Sequence, residues 1–154
     1  TINVTCFASP GEDAHYSAGT ANAAFRVDGW RIRPQICYDL RFPVWSRRTQ
    51  DADFDLLVYV ANWPSPRHHA WETLLRARAI ENQCYVIGVN RCGMDDNELR
   101  YSGGSAVIDY LGHDLVNLKD ATGTGEAALD ADAMKHFRER FPFDRDADRF
   151  ALAD

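Results

Sequence analysis

A chain of 154 residues with 45% hydrophobic and 12% aromatic residues holds enough apolar material for one sizeable core, which excludes a disordered chain. Its net charge is −6 and its basic residues are scattered among acids, so no footprint for nucleic acid or an anionic membrane is present. No apolar run approaches the roughly 20 residues that span a bilayer, and the opening TINVTCFASPGED has neither the basic nor the apolar region of a signal peptide.

In chain order, Ala21 to Val27 and Trp30 to Ile36 read as strands joined by Asp28-Gly29, a strong hairpin signal. Phe54 to Val60 is a nearly continuous β-rich run, expected to be a strand covered on both faces. From about Pro66 to Asn82 there is no interior glycine or proline after Pro66. Trp71, Leu74, Leu75, Arg78 and Glu81 fall at helical spacing there. Cys84 to Val89 is a second buried-strand candidate. Gly103-Gly104 precedes a short strand from Ser105 to Tyr110, and a turn at Leu111 to Asp114 leads into Leu115 to Leu118. A further strand is expected at Glu126 to Leu129, then a last helix from about Asp130 to Arg140 with Asp130 as N-cap. The charged tail, 144–154, is expected to be loosely held. Strands flanked by helices, with hairpins among them, predict a single α/β (α+β) domain with mixed sheets.

The four cysteines, Cys6, Cys37, Cys84 and Cys92, form no C-x-x-C pair. A chain of this size needs no disulfides, so they are expected to be reduced thiols in a cytoplasmic protein. Cys6, Cys84 and Cys92 are read as structural. The five histidines lack the i, i+4 pairing with a third ligand that a zinc site needs, so no metal and no cofactor is expected.

Cys37 differs from the other three. In IRPQICYDLRFP it ends an apolar run and precedes an expected helix start, the arrangement of a nucleophile elbow. In such an elbow the thiol stands clear of the sheet, the following N–H groups form an oxyanion hole, and a helix N-terminus lowers the thiol pKa. A small buried hydrophobe is the alternative for a lone cysteine.

The wider pattern favours the elbow. ICYDLRFPVWSR, then ANWPSPRHHAW and LLRARAIENQCYVIGVNR, with GEDAHYSAG before and YSGGSAVIDYLG after, resembles the nitrilase (carbon–nitrogen hydrolase) superfamily, most of all its omega-amidase branch. The similarity runs from Gly11 to about Phe141. It implies a part of an α-β-β-α sandwich and protomers that associate, a homo-oligomer. It also implies hydrolysis of a small-molecule amide, with no nucleic-acid and no membrane partner. By this resemblance Cys37 is the nucleophile and Glu12 the second of the family's two catalytic glutamates.

The Tyr38 N–H is the expected oxyanion donor, and Asn62 and Trp63 would wall the pocket, although Trp63 fits a core position equally. Arg41 and Arg67 are candidates for gripping a substrate carboxylate. For Arg41 an ion pair with Asp39 is an equal alternative. Arg78 and Glu81 read as buried scaffold.

Two family partners have no match. Asn3 stands where the resemblance puts a lysine, and the only lysines are Lys119 and Lys135. The general-base glutamate belongs to an upstream segment with no counterpart here, so the chain reads as an N-terminally truncated domain. Residues 1–10 can be encoded so that the shifted frame spells Tyr-Asp-Lys-Arg-Asp-Leu-Phe-Arg-Ile-Ala, the family's lysine segment. This makes an out-of-frame start an expectation that the upstream nucleotides would test.

Overall fold

The computed structural model describes residues 23–148. Glu12, Cys6 and residues 1–10 lie outside them. The hairpin forms as its turn chemistry dictates: β1 (Phe25–Val27) pairs antiparallel with β2 (Trp30–Ile36). Asp28 and Gly29 both take positive φ, 47° and 85°, as a type I′ turn requires. β2 then runs parallel to β3 (Leu56–Ala61), and β3 parallel to β4 (Tyr85–Asn90). The β3–β4 crossover is α1 (His68–Asn82), entered through a 3-10 turn at Ser65–Arg67 and closed by Gln83 in the left-handed conformation. A small hairpin of β5 (Cys92–Met94) and β6 (Arg100–Ser102) follows. β7 (Ala106–Ile108) pairs antiparallel with β4, and β8 (Asp114–Asn117) with β7, completing the order β1-β2-β3-β4-β7-β8. The last helix, α2 (Ala131–Arg140), is capped by the Asp130 carboxylate, which accepts the Ala133 N–H at 2.8 Å.

The sheet is mixed, as expected, and its two faces differ. Leu57 and Tyr59 of β3 and Val86 of β4 face α1 and bury Trp71, Leu75 and Ala79 with Phe54 and Ile108. α1 packs this closely because Gly88 has no side chain: a Cβ there would lie 2.5 Å from Leu75 Cδ1 and 2.8 Å from Trp71 Cζ2. On the opposite face, Leu56 and Tyr85 are covered by Met134 of α2, with Leu129, Tyr110, Val58 and Ile87 packed around them. That cover ends partway along the strands. Val60 and Val89, near the far ends of β3 and β4, are 49% and 48% exposed, and Phe25 and Val27 at the β1 edge are exposed as well. The expected burial of β3 on both faces therefore holds along the α1 face and only over the first residues of the other.

α2 is held by charge as well as by Met134. Asp55 receives Arg31 through three bonds, 3.1 Å from the backbone N–H, 2.9 Å from Nε and 2.7 Å from Nη2, and Arg138 of α2 at 3.0 Å. Arg138 also donates to the Phe54 and Gln83 carbonyls. The strand expected at Glu126 to Leu129 is corrected. Residues 126–129 form no strand, since Leu129 gains its burial by docking beside Leu56 and Tyr85. The β5–β6 hairpin carries no alternating apolar pattern and is not legible in the sequence. Asp144, at the start of the tail, is tied to Arg48 at 3.7 Å; residues 149–154 lie outside the described ones.

Candidate active site

The register sets the site. Ile36 of β2 lies beside Val60 of β3, and Ala61 beside Asn90 of β4, so three parallel strands end at one level. The residues that leave these ends are Cys37, Asn62-Trp63 and Asn90. The carboxyl ends of parallel strands are where open α/β sheets place their ligand sites, because the chain turns away there and exposes backbone donors.

Cys37 begins a 3-10 turn, Cys37–Arg41, with φ at +40° after the extended Ile36. A left-handed non-glycine residue costs about 1–2 kcal/mol, so the conformation must be imposed by its surroundings. Two side chains grip the turn. Asp39 Oδ2 accepts the Ile36 N–H at 2.9 Å, and Arg78 Nη2 from α1 donates to the Leu40 carbonyl at 2.6 Å. Burial raises the Asp39 carboxyl above its ordinary range, and its bond from Ile36 only partly counters this. Cys37 thus takes a strained strand-to-turn conformation, but two features expected of an elbow differ. The helix after it is a five-residue 3-10 turn ended by Pro43, so no α-helix dipole is aimed at the thiol. The Cys37 side chain is also 5% exposed, packed into the core cluster with Leu40 and Trp63 rather than standing clear.

Trp63 is fixed by a residue that the sequence reading missed. Asn90 Oδ1 accepts the Trp63 N–H at 2.7 Å, and its Nδ2 donates to the Trp63 and Gly103 carbonyls at 3.0 and 2.6 Å. Ser105 Oγ accepts the Asn90 N–H at 3.0 Å. A polar residue ending a buried apolar strand was the signal available in YVIGVN. Trp63 Nε1 in turn donates to the Arg67 carbonyl at 2.8 Å, which folds the Ser65–Arg67 turn back over the indole.

Arg41 lies across this indole, its guanidinium carbon 4.9 Å from the ring centroid. It does not pair with Asp39, whose carboxylate is occupied by Ile36, and among the described residues it forms no ion pair. Its Nε is buried without a hydrogen-bond partner. Tyr38 stacks edge-on with Phe42 at 5.1 Å. Asn62 is exposed beside Trp63, and the Arg67 side chain is exposed. The structure thus brings Cys37, Tyr38, Arg41 and Trp63 to one strand-end cluster, with Asn62 and Arg67 at its margin. Arg78 is buried scaffold as read; Glu81 is instead half exposed, pairing with Arg78 at 2.8 Å from the helix surface. Among the described residues no group of three or more His, Cys, Asp or Glu is gathered as a metal site. A concavity of about 640 Å³ is lined by Arg33, Trp45, Arg47, Arg48, Ala52 and Asp144 among others, none of them in the Cys37 cluster.

The chain is 49% identical over 147 residues to the omega-amidase YafV of Yersinia enterocolitica, covering 95% of this chain and 57% of that protein. It is 39% identical over 132 residues to the 2-oxoglutaramate amidase of Bacillus subtilis, covering 85% and 50%. It therefore spans about half the length of the curated relatives it matches. Among solved structures, XC1258 from Xanthomonas campestris, a CN-hydrolase superfamily protein with an arsenic adduct in the active site, superposes with a TM-score of 0.86 at 49% identity. That match covers 90% of this chain and 54% of the other. The carbon-nitrogen hydrolase profile matches residues 5–139, and with the mixed sheet and the strand-end thiol it places the chain in the carbon–nitrogen hydrolase family.

Proposed function

We propose that this chain carries the thiol-bearing part of an omega-amidase, a hydrolase of the ω-amide of a small 2-oxo dicarboxylate monoamide. The observation that carries the reading is the left-handed Cys37 at the ends of three parallel strands, beside a guanidinium laid on Trp63. The relatives named omega-amidase and 2-oxoglutaramate amidase support the substrate class. In this reading the Cys37 thiolate adds to the amide carbonyl and forms a C–S bond. The adduct collapses, the C–N bond breaks, and the nitrogen takes a proton and leaves as ammonia. Water then adds to the thioester and returns the acid and the thiol. The Tyr38 N–H meets the developing oxyanion, Asn62 and Trp63 wall the acyl chain, and Arg41, with Arg67 at the rim, receives the distal carboxylate. Glu12 takes the second glutamate's role by its motif. The chemistry needs a free thiol and therefore suits a reducing, cytoplasmic compartment.

A second reading, in which this chain alone is a non-catalytic remnant, is favoured by the open sheet face around Val60 and Val89 and by Asn3 at the lysine's place. An uncovered apolar sheet face is a surface for association, so the chain acts with a partner copy or a complementary chain. Loss of one base or one oxyanion donor removes about 10²–10⁴-fold in rate. Ammonia release from a 2-oxo acid ω-amide tests both readings. The amidase reading expects turnover that Cys37→Ala abolishes, and turnover unaffected by that change would sink it. Cys37-dependent release at ordinary amidase rates by the isolated chain would sink the remnant.

A further inference from the structure

Arg33 carries a charge that its surroundings leave unanswered. It lies on β2 beside Leu57 of β3 and is only 3% exposed. Its guanidinium carbon is 4.6 Å from the centroid of the Phe54 ring, and Nη1 and Nη2 donate long bonds, 3.3 and 3.4 Å, to the Arg47 and Ala52 carbonyls. Its Nε is buried without an acceptor. Among the described residues no carboxylate lies within ion-pair distance of it. The two titratable side chains that act on it, Tyr59 and Cys84, are neutral at neutral pH, because burial pushes both up, Cys84 to about 12. A guanidinium stays protonated under all ordinary conditions, and one taken out of water without a countercharge is costly to keep.

The same guanidinium lines the concavity of about 640 Å³, a size that suits a small molecule. Arg47, Arg48 and Arg145 line it too, against the carboxylates of Asp51, Asp144 and Asp148, so four arginines face three aspartates. The carboxylates are placed away from Arg33. Asp144 pairs with Arg48 at 3.7 Å, while Asp51 and Asp148 are exposed. Trp45, half-buried, supplies an apolar wall. We propose that this concavity binds a small organic anion, whose carboxylate or phosphate group lies on the Arg33 guanidinium while its body lies against Trp45. Each Nη of Arg33 has a second N–H beyond the one given to a carbonyl, and a paired N–H fork is what carboxylates and phosphates accept. None of the lining residues belongs to the Cys37 cluster, so the site does not rest on the amidase reading.

Isothermal titration calorimetry of the whole chain tests the site, with inorganic phosphate and acetate as separate probes and sodium chloride holding the ionic strength constant. Saturable binding of one anion per chain is expected in the millimolar range or tighter. Preference for phosphate points to a phosphate ester as the natural occupant, and preference for acetate to a carboxylic acid. Two variants locate the binding. Arg33→Met removes the charge and keeps an apolar side chain of similar length. Ala52→Glu places a carboxylate of the chain's own in the concavity, where it competes for Arg33. Each should weaken the anion at least about tenfold, the scale of one charge-assisted hydrogen-bonded pair, with the circular dichroism spectrum of the native chain retained. Absence of saturable binding by the native chain, or binding that survives unchanged in either folded variant, overturns the proposal. The second result would show the anion resting on the exposed arginines of the rim. Should Arg33→Met fail to fold, Ala52→Glu decides in the same way, because it leaves the Arg33 side chain in place.

Discussion

Asn90 has three side-chain hydrogen bonds, two with the Trp63 backbone and one with the Gly103 carbonyl, all in a buried setting. Replacing it with alanine leaves a buried N–H and two carbonyls without partners, and each such group costs about 1–3 kcal/mol. Because they share one cavity, the total for Asn90→Ala is expected near 3 kcal/mol, read as a fall in the urea midpoint at unchanged slope. Arg41 depends on the same loop through Trp63. In the amidase reading, where Arg41 receives the distal carboxylate, Arg41→Ala raises KM for a substrate bearing that carboxylate far more than it lowers kcat and leaves KM for an uncharged amide unmoved. The sequence marked Arg41 and Trp63 but left the partner of each open. Only the fold shows Asp39 committed to Ile36 and the indole lying under the guanidinium.

Among the elements, α1 and α2 are held in different ways, and the difference is measurable. α1 lies on a surface from which Gly88 has removed a side chain. Gly88→Ala pushes its Cβ against Leu75 and Trp71, both fully buried, and overpacking of this kind costs about 1–3 kcal/mol, measured by thermal or urea unfolding. α2 is held by the ionic link of Arg138 and Arg31 to Asp55. Burial alone would raise the Asp55 carboxyl, but the bonds and charge of Arg31, with the bond from Arg138, outweigh it and hold it below the usual carboxylate range. A depressed folded-state value gives stability that is present above the unfolded value of about 4 and lost as the pH falls through the folded one. Unfolding free energy measured from pH 6 downward should therefore fall below about pH 4 more steeply in the native chain than in Asp55→Asn.

Over the whole molecule, the sheet is covered unevenly. Val60 and Val89 lie side by side in the β3–β4 register, at the same end of the sheet as the turns that carry Cys37 and Trp63. Apolar residues half exposed at this place favour association through the sheet face. Sedimentation velocity across a concentration series should show reversible association of the native chain, and Val60→Asp with Val89→Asp should shift it to monomer while leaving the circular dichroism spectrum intact. Association unchanged by both substitutions would place the contact elsewhere.

Much of this organisation was already written locally. The Asp28-Gly29 turn, the apolar runs of β3 and β4, the span of α1 and the Asp130 cap depend on residues close in sequence, whose steric and hydrogen-bonding preferences act without a fold around them. The C-Y-D-x-R-F-P block with A-N-W-P named the family and marked Cys37 for the same reason, since an elbow is a local arrangement. Long-range packing decided the rest. Residues 126–129 became a docked segment because Leu56 and Tyr85 offered burial, and Asn90 became part of the site because β3 and β4 end level. Burial of the thiol and exposure of Val60 were decided in the same way. Whether a side chain is covered depends on which distant residues reach it, and no run of neighbouring residues encodes that.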